Sequence, residues 1–407
     1  MKKRIIYITR SFPYGKGETS FILPEIKLLS LNYDITIISR NSYDTQTTEL
    51  NENIEILRYP EDQVKLKNCL YYIYWLFSFD VLKEIVRNHN RSGYFLKTIK
   101  HVLRAAHFSN YIKKIRKKYH QKIIYYTYWN DYASYGIASM KRKNDYAITR
   151  IHGGDLYLRP TNNYSLPLKA KMAKGMDRII FISEDGREYF IKTFHPRSND
   201  NLIVRYMGVE NSYGIAQKSS DKVLRILSLS NIVYGKRIEK IIETLSIIKN
   251  ITIEWTHIGD GEEKDQVLQL AHKLLDSKKN IKYSFTGMLS NLNVRKFIET
   301  HPIDMLLNVS SSEGLPVSMM EAASYGIPII GTDVGGVREI ISEKNGILIN
   351  RDFTIKELAN ILIKFSKFDN KKINNMRFES RKIWEDKFRA DKNYKKFLQE
   401  VNSLWEK

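Results

Sequence analysis

The chain has 407 residues, which is too long for one compact core and suits two domains of ordinary size. A composition of 43% hydrophobic and 27% charged residues excludes a disordered chain, and only 20 glycines and 9 prolines exclude collagen-like and low-complexity classes. Lys and Arg number 66 against 45 Asp and Glu, and the formal charge of +21 favours phosphates, nucleic acid or an anionic membrane face as partners. The single cysteine, Cys69, excludes an intrachain disulfide and a cysteine metal cluster, which fits a reducing compartment.

The sequence predicts neither an export signal nor a membrane-spanning helix. The basic start is followed by an apolar run that ends at Arg10 without a cleavage site. The apolar stretch 69–79 is much shorter than the roughly 20 residues that a spanning helix requires. We therefore expect a soluble cytoplasmic protein that can touch the inner face of a membrane without crossing it.

Short β-branched runs alternate with longer helical patterns along the chain, which predicts parallel sheets wrapped in helices. The predicted strands of the first half are 4–9, 34–39, 123–127, 147–151, 178–183 and 203–207. Those of the second half are 225–230, 252–258, 281–286, 305–309, 328–332 and 347–349. The polar stretch 210–222 predicts a linker, and the aromatic-rich segment 371–407 predicts helices that pack back on the body.

The fold class is therefore α/β, with two Rossmann-like, doubly wound domains. We place the first at 1–210 and the second at 211–384, with the C-terminal helix of about 385–407 packing on the first. Ligands of such folds bind at the carboxyl ends of the strands, so we expect the site in a crevice between the domains.

Most of the positive charge lies in the first half. Residues 1–210 carry 35 Lys and Arg and 20 Asp and Glu, a balance of +15, against +6 for the rest. From Arg91 to Lys122 there are ten basic residues and no acidic one, with apolar residues at helical spacing. This predicts a basic amphipathic helix, and a solvated charged face is the alternative to a membrane contact. The side chains predicted to meet anionic headgroups are Lys113, Lys114, Lys117 and Lys118.

The most informative motif is SSSEGLPVSMMEAASYGIPII, residues 310–330, which lies between two predicted strands. Gly314 allows a tight turn, and Pro316 suits the first position of a helix. The N-terminus of that helix would present N–H groups and a positive dipole end, which suit phosphate. Glu313 and Glu321 would need hydroxyl donors beside a phosphate, and a nucleotide sugar offers such donors. For Glu321 alone, an ordinary solvated glutamate is an equally good interpretation.

This motif resembles the signature of retaining glycosyltransferases of family 4, which have the GT-B fold, and in particular the bacterial surface-polysaccharide type. Other stretches resemble the family in the expected order: SFPYGKGET (11–19), RIHGGDLY (150–157), KRIEKII (236–242), HIGDG (257–261) and GTDVGGVREII (331–341). The resemblance covers roughly residues 1–20 and 145–350, whereas 40–120 match no pattern of the family.

The resemblance implies roles for individual residues. Glu313 would hold hydroxyls of the donor sugar, Glu321 would hold the ribose, and Lys236 would neutralise the diphosphate as the sugar leaves. The residues whose backbone would face the sugar and the diphosphate are Gly314, Leu315, Pro316 and Val317, of which Pro316 has no N–H.

The chain departs from the family at one cation. The family usually has an arginine where this chain has Asn231, and Arg237 is the other candidate for the second phosphate contact. Glycines that could let a loop approach the donor are Gly15, Gly17, Gly259 and Gly261.

His152 follows a predicted strand, and Gly153 and Gly154 permit close approach of a ligand. The resemblance implies that His152 lies beside the donor sugar, and it assigns Asp155 to the acceptor side. Without the other motifs, a turn histidine satisfied by the backbone would be the better interpretation.

The sequence contains no Asp-x-Asp and no histidine pair with ligand spacing, so we predict no metal and no cofactor. We expect a hexosyltransferase that takes a hexose from a nucleotide sugar, by default a uridine diphosphate sugar, to a glycan acceptor carried on a lipid. One alternative is a nucleotide-sugar epimerase or a phosphorylase of the same fold. A non-enzymatic protein that binds nucleic acid is the alternative of a different class, which the charge permits but no recognised motif supports.

Overall fold

The computed structural model describes residues 3–15, 18–40, 45–59, 69–91, 93–157 and 167–406, with only the backbone of 69 and 70. The chain divides into two units. One consists of Met1–Tyr206 with Tyr394–Lys407, and the other of Met207–Asn393. The sequence-based boundaries were 210 and about 385.

The first unit contains one parallel sheet with helices around it. Its strands are β1 (Lys3–Thr9), β2 (Tyr33–Ser39), β3 (Glu55–Arg58), β4 (Ile123–Thr127), β5 (Tyr146–Ile151), β6 (Arg178–Phe181) and β7 (Leu202–Val204). Its helices are α1 (Thr19–Leu29), α2 (Cys69–Leu76), α3 (Phe79–Arg87), α4 (Tyr94–Arg116), α5 (Tyr132–Met140), α6 (Gly153–Leu156), α7 (Lys169–Gly175) and α8 (Glu184–Phe194). The strand order is β3-β2-β1-β4-β5-β6-β7.

The second unit contains a second parallel sheet. Its strands are β8 (Val223–Leu229), β9 (Thr252–Ile258), β10 (Ile281–Phe285), β11 (Met305–Asn308), β12 (Ile329–Thr332) and β13 (Gly346–Ile349). Its helices are α9 (Ile238–Ile247), α10 (Lys264–Leu275), α11 (Asn291–Thr300), α12 (Val317–Ser324), α13 (Ile355–Ser366) and α14 (Asn370–Ile383). The strand order is β10-β9-β8-β11-β12-β13. A π-helical turn, Trp384–Phe388, leads into α15 (Ala390–Ser403), whose residues from Tyr394 onward belong to the first unit.

In both sheets the order in which the strands are added reverses beside the first strand. The order is third, second, first, fourth, fifth, sixth, which is that of the Rossmann fold, and the sheet of the first unit adds a seventh strand after the sixth. In such sheets ligands bind at the carboxyl ends of the strands on either side of the reversal, because the adjoining loops diverge there. The places to look for a site are therefore the loops after β1 and β4, and those after β8 and β11. The predicted α/β class with two doubly wound domains is confirmed.

The cores explain why these segments form strands and why the C-terminal helix returns to the first unit. In β1 the consecutive side chains from Ile5 to Ile8 are all buried, as expected for a central parallel strand covered on both faces. Phe397 and Val401 of α15 lie in the same buried cluster as Ile5 and Ile37 of the sheet. Burial of these apolar side chains stabilises the C-terminal helix on the first unit, where the sequence predicted it to pack.

The segment 210–222, predicted as a linker, is part of the second unit. The side-chain amide of Asn211 donates to the carbonyl of Ser324 at 2.7 Å, and the hydroxyl of Ser219 donates to Asp304 at 2.6 Å. Its polar side chains therefore fasten the segment to the domain, and the linker prediction is wrong.

The predicted basic helix is α4, which ends at Arg116. Lys113 and Lys114 lie in its last turn and Lys117 and Lys118 follow it, and all four side chains are exposed. Along the described stretches, no helix is both long enough and apolar enough to cross a bilayer.

Candidate active site

The loops after β8 and β11 bring Lys236 and Glu313 together. The Nζ atom of Lys236 lies 2.5 Å from Oε1 of Glu313, and the side-chain amide of Asn308 donates to the same oxygen at 3.3 Å. The side chains of Lys236 and Glu313 are 26% and 10% exposed. Two residues to which the sequence gave separate roles, 77 positions apart, thus form one charged cluster at the strand reversal of the second sheet.

Asn308 is a site residue that the sequence reasoning missed. It is the last residue of β11, and its side-chain oxygen accepts the N–H of Ser310 at 3.0 Å. The amide therefore shapes the turn after the strand while it also contacts Glu313. A polar residue at the carboxyl end of the run MLLN was the available signal.

The N-terminus of α12 lies directly after this cluster in the chain. The helix begins at Val317 with Pro316 as its N-cap, one residue later than predicted, and the preceding Leu315 is buried. The first N–H groups of a helix have no partner within the helix, and they carry the positive end of its dipole. The start of α12, four residues after Glu313 in the chain, therefore offers anion-binding groups.

The loop after β12 braces the backbone of Glu313 and Gly314. The N–H of Gly336 donates to the carbonyl of Gly314 at 2.7 Å. Gly335 has φ +53°, and a Cβ atom there would lie 2.0 Å from the carbonyl oxygen of Glu313. Only glycine fits this contact. The loop after β12, which lies in the stretch GTDVGGVREII (331–341), therefore fixes the position of the loop that carries Glu313 and Gly314.

Glu321 lies about one turn into α12. Among the described residues, no side chain donates a hydrogen bond to its carboxylate. Burial raises the pKa of Glu321 to about 7, against the opposing effect of the positive charge of Arg295. Hydrogen bonds from hydroxyl groups would stabilise the ionised form of this buried carboxylate, and a ribose would supply such hydroxyl groups.

Arg237, the residue next to Lys236, braces the site from within. Its guanidinium donates to the carbonyls of Val309 at 2.6 Å, Ser310 at 3.1 Å and Arg351 at 2.8 Å. Burial lowers the pKa of Arg237. Asn231, the other candidate for the second phosphate contact, has an exposed side chain at the start of the same loop.

We expect Arg237→Ala to lower the free energy of unfolding by about 2–3 kcal/mol, because it leaves carbonyl groups of two loops without their donor. Urea denaturation of the purified chain would measure it. In the matched variant Lys236→Ala, the removed group is partly exposed, so the loss should stay near or below about 1 kcal/mol. Equal losses in the two variants would contradict the bracing role of Arg237.

Gly259 and Gly261 serve close packing between loops. A Cβ atom at Gly259, whose φ is +149°, would lie 1.8 Å from the carbonyl oxygen of Ser230. A Cβ atom at Gly261 would lie 2.2 Å from that of Ile232. The loop after β9 therefore packs backbone to backbone against the loop that carries Lys236, which gives both glycines a structural reason.

In the first unit, His152 follows β5 at the start of α6. Its Nε2 atom lies 3.1 Å from the carbonyl oxygen of Tyr128, and its ring centroid lies 4.5 Å from that of Trp129. Burial lowers the pKa of His152 to about 3, and the nearby Arg150 adds to the effect. The ring is therefore neutral at pH 7, and it carries its proton on Nε2, because that nitrogen faces a carbonyl acceptor.

Asp155 holds the backbone around His152. One carboxylate oxygen accepts the N–H of His152 at 2.6 Å, and the other accepts the N–H of Asn130 at 2.7 Å. Burial raises the pKa of Asp155 to about 6, and the opposing effect comes first from the buried Lys169. Lys169, which the sequence reasoning also missed, donates to the backbone carbonyl of Asn130 at 2.8 Å. The carboxylate proposed for the acceptor side is thus engaged within the fold and joins the loops after β4 and β5.

The loop after β1 is organised by Glu18. The carboxylate accepts the N–H groups of Ser11 at 2.6 Å and Phe12 at 2.8 Å, and it also accepts the indole N–H of Trp129. Gly15 closes the turn, with its N–H donating to the carbonyl of Ser11 at 3.1 Å. Gly17 lies outside the described residues.

No group of three or more histidine, cysteine, aspartate or glutamate residues in the described ranges is arranged to hold a metal ion.

The second unit is similar in sequence to known proteins. Residues 215–383, which contain Lys236, Glu313 and Glu321, match the family model of the glycosyl transferases group 1. Over 143 residues, 35% of this chain and 38% of the relative, the sequence is 32% identical to the O-antigen biosynthesis glycosyltransferase WbnH of Escherichia coli. The chain spans only about a third of the length of such curated relatives.

Solved structures resemble the chain over its whole length. The lipopolysaccharide outer core galactosyltransferase WaaB is 17% identical with a TM-score of 0.70, and the match covers 98% of this chain and 99% of that one. Anabaena HepE, solved in complex with UDP, is 15% identical with a TM-score of 0.65, and the match covers 98% and 100%. These likenesses show the fold, and the family match covers the part of the chain that carries the Lys236–Glu313 cluster. Residues 215–383 are thus similar to the glycosyl transferases group 1, in a chain that has the GT-B fold.

Proposed function

We propose that the chain is a retaining, metal-independent glycosyltransferase. In this proposal it moves a hexose from a nucleotide sugar to a glycan acceptor in the biosynthesis of a cell-surface polysaccharide. The observation that carries the proposal is the Lys236–Glu313 pair, which lies at the strand reversal of the second sheet and directly before the N-terminus of α12. A cation, a hydroxyl acceptor and free helix N–H groups at one place suit a sugar diphosphate.

In the proposed reaction, the bond between the anomeric carbon and the diphosphate oxygen breaks, and the acceptor oxygen bonds to the same carbon. The acceptor attacks from the face that the diphosphate leaves, so the configuration is retained. Its proton passes to an oxygen of the departing diphosphate. Lys236 and the N–H groups at the start of α12 stabilise the negative charge on the leaving group, while Glu313 accepts hydrogen bonds from sugar hydroxyls.

Neutral His152 would act as a hydrogen-bonding group, because its low pKa keeps it uncharged at neutral pH. Asp155 and Lys169 would position the loops around it. With Lys236 and the helix dipole available for charge neutralisation, we propose that transfer requires no divalent ion.

The donor and the acceptor are proposed from the relatives. A uridine diphosphate sugar is the preferred donor, since a structural relative was solved with UDP. A glycan acceptor is supported by the curated name of the O-antigen relative. We further propose that the acceptor is lipid-linked and that the chain meets it at the inner face of the membrane, which the charge of +21 supports.

The direct test is the thermal stability of the protein with a panel of nucleoside diphosphates and nucleotide sugars, with and without EDTA. A ligand at a hundredfold excess over its Kd stabilises the folded state by about 2.7 kcal/mol, which raises the melting temperature by several degrees. We expect uridine compounds to give the largest shift and EDTA to leave it unchanged. No shift with any nucleotide would overturn the proposal, and loss of the shift in EDTA would overturn metal independence.

A further inference from the structure

Exposed apolar side chains are concentrated on three consecutive helices of the first unit. Of the seventeen exposed large hydrophobic residues in the described parts of the chain, eight lie within residues 73–96. We call these eight the α2–α4 apolar surface: Ile73, Tyr74, Phe77, Phe79, Leu82, Val86, Phe95 and Leu96. Soluble domains rarely expose so many large apolar groups in so short a segment, so this surface requires a covering partner.

Helix α2 is apolar on its outer face as well as on its inner face. Tyr72 and Trp75 are buried in the core of the unit, whereas Ile73, Tyr74 and Phe77 are exposed. The N–H of Phe77 donates to the carbonyl of Ile73 at 3.0 Å, so the helical geometry extends to Phe77. At 100° per residue, the three exposed side chains share an arc of roughly 100° that faces away from the core. The outer face of a helix on a solvated domain is normally polar.

Helix α3 repeats this arrangement. Val81 is buried, while Phe79, Leu82 and Val86 are exposed at spacings of three and four residues, which places them in one stripe. Phe79 is 75% exposed. The two helices therefore each present a row of apolar groups to the surroundings.

The charges around the surface are positive. The acidic groups of α3 are engaged, since Asp80 pairs with Lys171 at 2.5 Å and Glu84 accepts the hydroxyl of Tyr94 at 2.5 Å. The exposed Lys83 and Arg87 remain on the same helix, and the sequence from 85 to 130 contains no Asp or Glu. A rim of positive charge around apolar and tyrosine side chains complements an anionic lipid surface, whose headgroups lie above an apolar interior.

We propose that the α2–α4 apolar surface docks into an anionic bilayer. The apolar side chains enter the boundary between headgroups and acyl chains, and Lys83 and Arg87 contact the headgroup phosphates. The α2–α4 apolar surface is distinct from the membrane contact that the sequence predicts, which is formed by Lys113, Lys114, Lys117 and Lys118. With a rise of about 1.5 Å per residue, Lys113 and Lys114 lie roughly 25–27 Å along α4 from Leu96, and Lys117 and Lys118 follow the helix. The inference rests on the proposed function in one respect: an enzyme whose acceptor is lipid-linked has a reason to dock on a membrane.

Sedimentation with vesicles tests the proposal without any need for activity. The full chain is mixed with phosphatidylcholine vesicles that contain about one third phosphatidylglycerol, and with pure phosphatidylcholine vesicles. We expect binding to the anionic vesicles only. The triple variant Phe77→Ser, Phe79→Ser, Leu96→Ser should lower that binding at least about tenfold, because the removed groups are the ones that enter the lipid.

The matched control removes three exposed apolar groups elsewhere: Leu31→Ser, Leu292→Ser and Phe378→Ser. It should bind like the wild type, and both variants should keep the wild-type melting temperature and its shift with nucleotide, which separates this proposal from the donor site. Failure of the wild type to bind anionic vesicles, or equal loss in the two variants, would overturn the proposal. Analytical ultracentrifugation that shows a wild-type dimer, separated into monomers by the first triple variant with vesicle binding unchanged, would assign the surface to a second copy and overturn it as well.

Discussion

Replacing Lys236 with alanine is expected to lower the turnover of sugar transfer by about 100- to 1,000-fold, the usual cost of removing one group that stabilises a developing charge. The lysine lies in the loop after β8, and its Nζ atom lies 2.5 Å from Oε1 of Glu313. A diphosphate that departs as an anion gains charge in the transition state. Loss of the cation should therefore reduce kcat more than it raises KM.

The control for this prediction is Lys240→Ala, a lysine on α9 in the same basic stretch. Its Nζ atom lies 4.9 Å from the ring of Phe353, so it is engaged elsewhere. Steady-state kinetics of both variants with a saturating acceptor would show whether the effect belongs to Lys236 or to charge in general. A Lys236→Ala enzyme with wild-type kcat would exclude the proposed contact with the leaving group.

The sequence predicts the strands of this fold well because both sheets are parallel and central. Such strands are buried on both faces, and their runs of isoleucine, valine and leucine are easy to recognise. The strand that it misses, β3 (Glu55–Arg58), lies at the edge of the first sheet and, among the described strands, pairs with β2 alone. An edge strand of four residues, with charged residues at both ends, carries little of the hydrophobic pattern.

The candidate site is predictable only where local motifs describe it. The resemblance names Lys236 and Glu313 separately, but it does not predict their contact, because no local rule connects residues 77 positions apart. The bracing role of Arg237 could not be predicted, because its acceptors are three backbone carbonyls that only the folded loops bring together. Asn130 and Lys169 were missed for the same reason, since their contacts join loops that are separate in sequence.

Nucleotide binding is expected to depend on pH through Glu321, since its pKa is about 7. Ribose hydroxyls donate to the ionised carboxylate, so binding favours the form without a proton. The raised pKa means that the proton is bound below pH 7 and lost above it. Affinity should therefore rise with pH, being about fivefold weaker at pH 6 than at pH 8 if the protonated form binds about tenfold more weakly than the ionised one. Glu321→Gln should weaken binding about tenfold at pH 8, because the charged acceptor is replaced by a neutral one.

Calorimetric titration should use the nucleotide sugar that gives the largest thermal shift, since its diphosphate has no free terminal phosphate to titrate near neutrality. At pH 6 the wild type and Glu321→Gln should bind within about twofold of each other, because most of the wild type then carries a neutral side chain at this position. Between pH 6 and 8 the variant should show a flat profile while the wild type gains affinity. A variant that keeps the wild-type slope would assign the pH dependence to another group, and a flat wild-type profile would remove Glu321 from the ribose site. Convergence at low pH combined with divergence at high pH is the pattern that only an ionising acceptor in contact with the nucleotide produces.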